Sequence, residues 1–152
     1  MSVVEDKLKE LGLQLPPPPQ PAGAYTPAIP AEGLVFVSGQ LPLADGEIQY
    51  PGMLGRDLDI EAGYAAARLC ALNALSVLKA ESGDLDKVSI VRLGGYVAAT
   101  NDFTDHPKVI NGASDLMAEI LGTRGVHARL AVGASSLPLG AAVELEVIAA
   151  VR

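Results

Sequence analysis

The sequence predicts one mixed α+β domain, with two helices packed on one face of a sheet and an added helix at the N-terminus. The chain has 152 residues, 49% of them hydrophobic, which suffices for one domain with a sizeable core. Two long helical segments are separated by runs rich in Val, Leu and Ile. The predicted order α-β-β-(β)-α-β-α-β-β contains no internal repeat and favours a layered α+β arrangement.

The first predicted element is a short helix in "SVVEDKLKELGL". Val4, Leu8 and Leu11 recur at helical spacing and form one apolar stripe. Ser2 is a typical N-cap residue, and Gly12 is a typical terminator.

A proline-rich segment, "PPPPQP", follows at residues 16–21. Consecutive prolines cannot continue a helix and favour an extended conformation. We therefore divide the chain into a helix at 1–15, a strap at 16–23 and a single domain at 24–152.

Two short strands, at about 24–29 and 33–38, are predicted to start the domain, joined by a turn at "PAEG". The segment 41–57 is predicted to be a loop with a short strand near residues 47–50.

The two main helices have recognisable ends. The first begins after Asp59 and ends at Gly83, and its many alanines allow close packing on a sheet. The second is opened by Asp105 and Pro107 and ends at Gly122.

Three further strands complete the prediction. The segment "DKVSIVRLGGYVAAT" is a long strand in which Gly94–Gly95 indicates a bulge or bend. Strands at about 126–133 and 141–151 enclose the loop "ASSLPLG". Because this loop is short, we expect these last two strands to form an antiparallel hairpin.

The hairpin carries charges inside apolar runs. Alternation places His127 and Arg129 on one face of the first strand, and Glu144 and Glu146 on one face of the second. Folding the hairpin puts Arg129 across from the two glutamates, on the face away from the helices. Two interpretations remain open: an exposed cross-strand ion pair, or a cleft at a subunit boundary in which Arg129 holds an anion and a glutamate handles water.

Composition excludes several classes of protein. A net charge of −7 without basic clusters argues against nucleic-acid binding. One Cys and two His leave little basis for a zinc site or a disulfide framework. No apolar run has the length of a membrane helix and no secretion signal is evident, so we expect a cytoplasmic protein. The low charge density favours a homo-oligomer.

The motifs "VSGQLP", "ALNAL", "NDF", "ING" and "HARLAV…LPLGAAVELEVIA", in this order, resemble the Rid family of RidA/YjgF-type reactive-intermediate deaminases, also described as L-PSP endoribonucleases. The resemblance runs from about Tyr25 to Val151. It implies a chorismate-mutase-like fold and a homotrimer with sites at the subunit interfaces. It also implies hydrolysis of enamines and imines such as 2-aminoacrylate and 2-iminopropionate to a 2-keto acid and ammonia, without a metal or cofactor.

The resemblance also implies roles for individual residues. Arg129 would bind the substrate carboxylate, and Glu144 would position the attacking water and relay its proton. The other residues implied to line the pocket are Tyr25, Ser38, Gly39 and Asn111.

Two positions depart from the family pattern. Ala131 stands where a cysteine is frequent, and His127 stands where a proline is more usual. The loop 41–57 and the N-terminal helix with its proline strap also look longer than in compact members. The missing thiol and the altered loop leave, as the alternative to a deaminase, a non-catalytic trimer that binds small carboxylates or 2-keto acids. Ribonuclease activity is a third hypothesis, disfavoured by the acidic composition.

Overall fold

The computed structural model describes residues 2–19 and 24–152, so residues 20–23 of the predicted strap lie outside the described residues. The helices and strands are numbered in chain order. The helices are α1 (Val3–Glu10), α2 (Ile60–Ser82) and α3 (His106–Leu121). The strands are β1 (Ala28–Ala31), β2 (Leu34–Gln40), β3 (Leu43–Ala44), β4 (Glu47–Ile48), β5 (Val88–Ala98), β6 (Ala128–Ala134) and β7 (Val143–Val151).

The main sheet has five strands in the order β1-β2-β7-β5-β6, and β3 and β4 form a separate small hairpin. All pairs in the main sheet are antiparallel except β5 and β6, which are parallel. α2 packs against β2 and β7, and α3 packs against β5 and β6. The predicted α+β layer with two helices on one face of a mixed sheet is confirmed.

Local capping signals account for the helix bounds. The Ser2 side chain accepts a hydrogen bond from the Glu5 backbone N–H, and Asp59 accepts one from that of Ala62. These bonds satisfy backbone donors that have no partner within the helix. Gly83 ends α2 in the left-handed conformation, with φ of 77°.

Two strand predictions require correction. The first strand begins at Ala28 rather than near residue 24, because Pro27 has no backbone N–H to donate to a ladder. The irregularity in β5 lies between Ile90 and Arg92, not at Gly94–Gly95. A Cβ on Gly94 would come within 2.7 Å of the Glu146 side chain, so the glycine there makes room for that glutamate.

The predicted hairpin between the last two strands is wrong. β7 pairs with β2 on one side and β5 on the other, so both of its edges are occupied. β6 joins the free edge of β5 in parallel. The segment β5-α3-β6 is therefore a strand–helix–strand crossover, the usual connection between parallel neighbours.

α1 is attached to the domain at its N-terminal end. The Asp86 carboxylate accepts hydrogen bonds from the backbone N–H groups of Val3 and Val4, at 2.8 and 2.9 Å. Val4 and Leu8 are buried in the common core. Through these contacts α1 becomes part of the hydrophobic core of the domain.

Within residues 2–19 and 24–152, every helix is too short or too polar to cross a bilayer.

Candidate functional site

Arg129 lies on the edge strand β6 and faces α3. Its partner in the ladder is Leu93, which is fully buried, so Arg129 is on the helix-covered face of the sheet. Its Nη1 donates to Asn111 Oδ1 at 2.8 Å and to Ser114 Oγ at 3.1 Å. The sequence prediction that Arg129 faces away from the helices is therefore wrong.

Glu144 and Glu146 lie on the opposite, uncovered face. They alternate along β7 with buried residues and pair with Tyr96 and Gly94 of β5. Because β5 separates β7 from β6, Arg129 and Glu144 are two strands apart and on different faces. The predicted pairing of Arg129 with these glutamates within one chain does not occur.

The Glu144 carboxylate lies directly over Gly39. A Cβ built at Gly39 would be 2.6 Å from Glu144 Oε2 and 3.1 Å from its carboxyl carbon. The β2 ladder shifts register between Val37 and Gln40, and this bulge brings the Gly39 backbone close to β7. Desolvation by partial burial, followed by the negative charge of Glu146, raises the pKa of Glu144.

Glu146 forms the ion pair that the sequence prediction assigned to Arg129. Its Oε1 accepts from Arg92 Nη1 at 3.0 Å and from the Tyr96 hydroxyl at 3.2 Å. The adjacent negative charge of Glu146 raises the pKa of Tyr96. Since the Arg92 and Glu146 side chains are about a third and nearly half exposed, at 34% and 45%, the pair contributes little to stability. Its main effect is to fix the position of a negative charge beside Glu144.

Ser38 and Tyr25 lie close together in the chain fold. The Ser38 hydroxyl donates to the Thr26 carbonyl at 2.6 Å, which ties β2 to the residue after Tyr25. Tyr25 itself is 65% exposed. Its ring is thus free to contact a second molecule.

The predicted site residues therefore fall into two groups. Asn111 lies with Arg129 on the α3 side of β6, while Ser38 and Gly39 lie with Glu144 on the β2 side of β7. We call these the arginine group and the glutamate group.

Three polar contacts were missed from the sequence. Ser114 follows Asn111 by three residues on α3, the spacing of neighbours on one helix face. Arg92 and Tyr96 are four residues apart on β5 and half-buried, so they lie on the same face of the strand. The spacing of these residues was visible in the sequence. The strand order was needed to predict that they contact Arg129 or Glu146.

Neither group lines the large cavity of about 710 Å³ between the proline segment and α2, which is bounded by Leu15, Pro16, Gln40, Leu69 and Asn73 among others. Throughout the two described ranges, no three His, Cys, Asp or Glu side chains converge as metal ligands.

Comparison with known proteins settles the family. Residues 5–151 match the family model described as "YjgF/chorismate mutase-like, putative endoribonuclease". The chain belongs to this YjgF, or Rid, family.

Several known proteins match this chain over almost their whole length. Protein TCP17 of Trypanosoma cruzi is 42% identical over 147 residues, covering 95% of this chain and 92% of the relative. The structure of Atu1372 from Agrobacterium tumefaciens, a protein of unknown function, is 44% identical with a TM-score of 0.90, over 98% of this chain and 92% of that one. A "putative endoribonuclease" from Shewanella oneidensis is 36% identical with a TM-score of 0.93, over 97% and 99%. The resemblance stated from the motifs is confirmed at the level of family and fold.

Proposed function

We propose that the protein is a hydrolytic deaminase of small 2-imino acids and their enamine tautomers, acting at sites between the subunits of a homotrimer. Arg129 of one subunit binds the substrate carboxylate, and Glu144 of the next subunit positions water. The products are a 2-keto acid and ammonia.

The separation of the arginine and glutamate groups is the observation that carries this proposal. Strands in a sheet are spaced by about 4.8 Å, so β6 and β7 are about 10 Å apart, and the two side chains point to opposite faces. A substrate of a few carbon atoms cannot reach both in one chain. A second copy that brings its glutamate group to the arginine group would complete the site.

Exposed apolar side chains on the uncovered face of the sheet support association. Ile29, Phe36 and Leu130 are 54%, 43% and 42% exposed. Ladder pairing puts Phe36 opposite Ile29 and Leu130 opposite Gly94, on the same face as Glu146. Apolar surface of this kind is typical of an interface between subunits.

The two groups suit the proposed chemistry. The imine carbon is already electrophilic, so the protein has to orient it, supply water and move protons. Glu144 in its ionised form takes a proton as the water oxygen bonds to the imine carbon. With the imine nitrogen protonated, this attack gives a neutral amino alcohol. Glu144 then returns the proton to nitrogen, the C–N bond breaks as the C=O bond forms, and the proton of the hydroxyl group leaves with the ammonia as ammonium. A raised pKa at Glu144 suits a group that both accepts and donates a proton.

The test is decay of 2-iminopropionate generated from alanine by an amino-acid oxidase. Wild-type protein should accelerate decay over buffer. Glu144→Gln should lower kcat by about 100-fold or more. Arg129→Ala should raise KM by about 10- to 100-fold, because charged hydrogen bonds to the carboxylate are lost. Arg129→Lys is the matched control, since it keeps the charge and loses the planar fork.

Wild-type protein that fails to accelerate imine decay would refute the deaminase assignment. If pyruvate nevertheless raised its Tm, the non-catalytic carboxylate binder would be the better description. Full activity in Arg129→Ala would refute the role given to Arg129.

A further inference from the structure

One nitrogen of the Arg129 guanidinium is already saturated within the chain. Nη1 carries two hydrogens, and it donates to Asn111 Oδ1 at 2.8 Å and to Ser114 Oγ at 3.1 Å. In the part of the chain that the structure describes, no hydrogen bond engages Nε or Nη2 of this residue. The side-on edge formed by Nε and Nη2 is therefore the edge that is open to a ligand.

The hydroxyl of Ser114 has a second partner, the His127 ring. Ser114 Oγ lies 2.8 Å from His127 Nε2, and His127 Nδ1 lies 2.6 Å from the Gly125 carbonyl oxygen. A carbonyl oxygen only accepts hydrogen bonds, so Nδ1 must carry the proton. In the neutral ring Nε2 is then an acceptor, and the Ser114 hydroxyl donates to it.

For the neutral His127 ring, these assignments give the direction of every bond in the cluster. Because the single hydroxyl hydrogen of Ser114 points to His127, its lone pairs face Arg129 and accept from Nη1. Arginine can only donate, so with a neutral His127 ring this is the one arrangement in which all three contacts are satisfied. His127 thereby orients Ser114, and Ser114 together with Asn111 holds the guanidinium plane.

We infer that His127 and Ser114 are positioning residues that hold Nη1 of Arg129 and so reserve its Nε–Nη2 edge for a substrate carboxylate. This inference rests on the proposed function, in which Arg129 binds that carboxylate. It explains why a histidine stands before "ARLAV": the Gly125 carbonyl sets the ring tautomer, and the ring sets the serine. A bidentate, side-on ion pair then forms without reorganisation of the arginine.

The predicted consequence is a change in affinity with little change in turnover. Ser114→Ala removes one of the two acceptors that hold Nη1, and His127→Leu removes the group that orients Ser114. Each variant should raise KM for 2-iminopropionate, and Kd for pyruvate, by about tenfold, while kcat stays within about twofold. His127→Gln is the matched control, because its amide can donate to Gly125 and accept from Ser114; it should recover most of the affinity.

A spectroscopic measurement separates positioning from a general loss of structure. In the full-length ¹⁵N-labelled protein, the Arg129 Nε–H signal, assigned by its absence in Arg129→Lys, should shift on addition of pyruvate. The ¹⁵N shifts of the ligand-free His127 ring should report a protonated Nδ1 and an unprotonated Nε2, and Ser114→Ala should move the Nε2 signal.

The outcomes separate the positioning roles of Ser114 and His127 from the proposed deaminase activity. Wild-type Kd and KM in both Ser114→Ala and His127→Leu, or an Arg129 Nε–H signal that pyruvate leaves in place although it binds, would overturn the positioning roles while the deaminase remains. Wild-type protein that neither binds pyruvate nor hydrolyses the imine would overturn the proposed function and the positioning roles with it.

Discussion

Gly39→Ala tests whether the position of the Glu144 carboxylate matters for catalysis. The new Cβ would lie 2.6 Å from Glu144 Oε2. An ordinary contact distance is about 3.5 Å, so the oxygen must move by about 1 Å. Misplacement of a reacting group by about 1 Å can cost about 100-fold in rate, and we expect kcat for imine decay to fall by about that factor.

The same substitution should leave the fold almost unaffected. The φ angle of Gly39 lies outside the left-handed region, and the atoms that the Cβ meets belong to the flexible end of a glutamate side chain. Thermal unfolding should therefore give a Tm close to that of wild type, while the rate falls.

A double-mutant cycle shows whether the effect passes through Glu144. Gly39→Ala should lower kcat strongly in the wild-type background and hardly at all in Glu144→Gln, where the base is already absent. Equal rate losses in the two backgrounds, or a wild-type kcat in Gly39→Ala alone, would refute this reasoning.

Three further changes have defined outcomes. Glu146→Gln should move the acidic limb of the kcat–pH profile to lower pH. In the proposed mechanism the ionised form of Glu144 is the base, and removing the neighbouring negative charge lowers the pKa of Glu144. A limb that stays in place or moves to higher pH contradicts this. Asp86→Ala should lower Tm by a few degrees and speed hydrogen exchange in α1, because the first backbone N–H groups of this helix lose their acceptor. The control Glu47→Ala, on the exposed hairpin, should change neither Tm nor the exchange rate. Leu130→Glu, on the uncovered sheet face, should break the proposed trimer into monomers of 15.6 kDa in native mass spectrometry and abolish the proposed turnover. An active trimer would argue against that interface.

Local signals in the sequence were sufficient to predict where the helices begin and end. Ser2, Asp59 and Gly83 lie at helix ends as predicted, because capping depends on residues within a few positions of each other. The strand order was harder to predict, since strand pairing joins segments that are far apart in sequence.

The wrongly predicted last hairpin identifies the feature that the sequence pattern could not predict, which is the pairing partner of β6. Alternation correctly put His127 and Arg129 on one side of β6, since both contact α3 residues. It could not say which side of the sheet that was, because the answer depends on β6 pairing with β5 rather than with β7. The pattern strand–helix–strand across β5, α3 and β6 was visible, and it favours a parallel crossover.

The central claim is that each site takes Arg129 from one subunit and Glu144 from another. The most direct test is to co-express Arg129→Ala and Glu144→Gln chains with different tags, purify the mixed trimers and measure decay of 2-iminopropionate. Each parent lacks one half of every site, but a closed ring of three that contains both chains has one complete site out of three. We expect the purified mixed trimers to show about a third of wild-type activity at substrate concentrations below KM; activity no higher than that of the two parents would contradict the shared site.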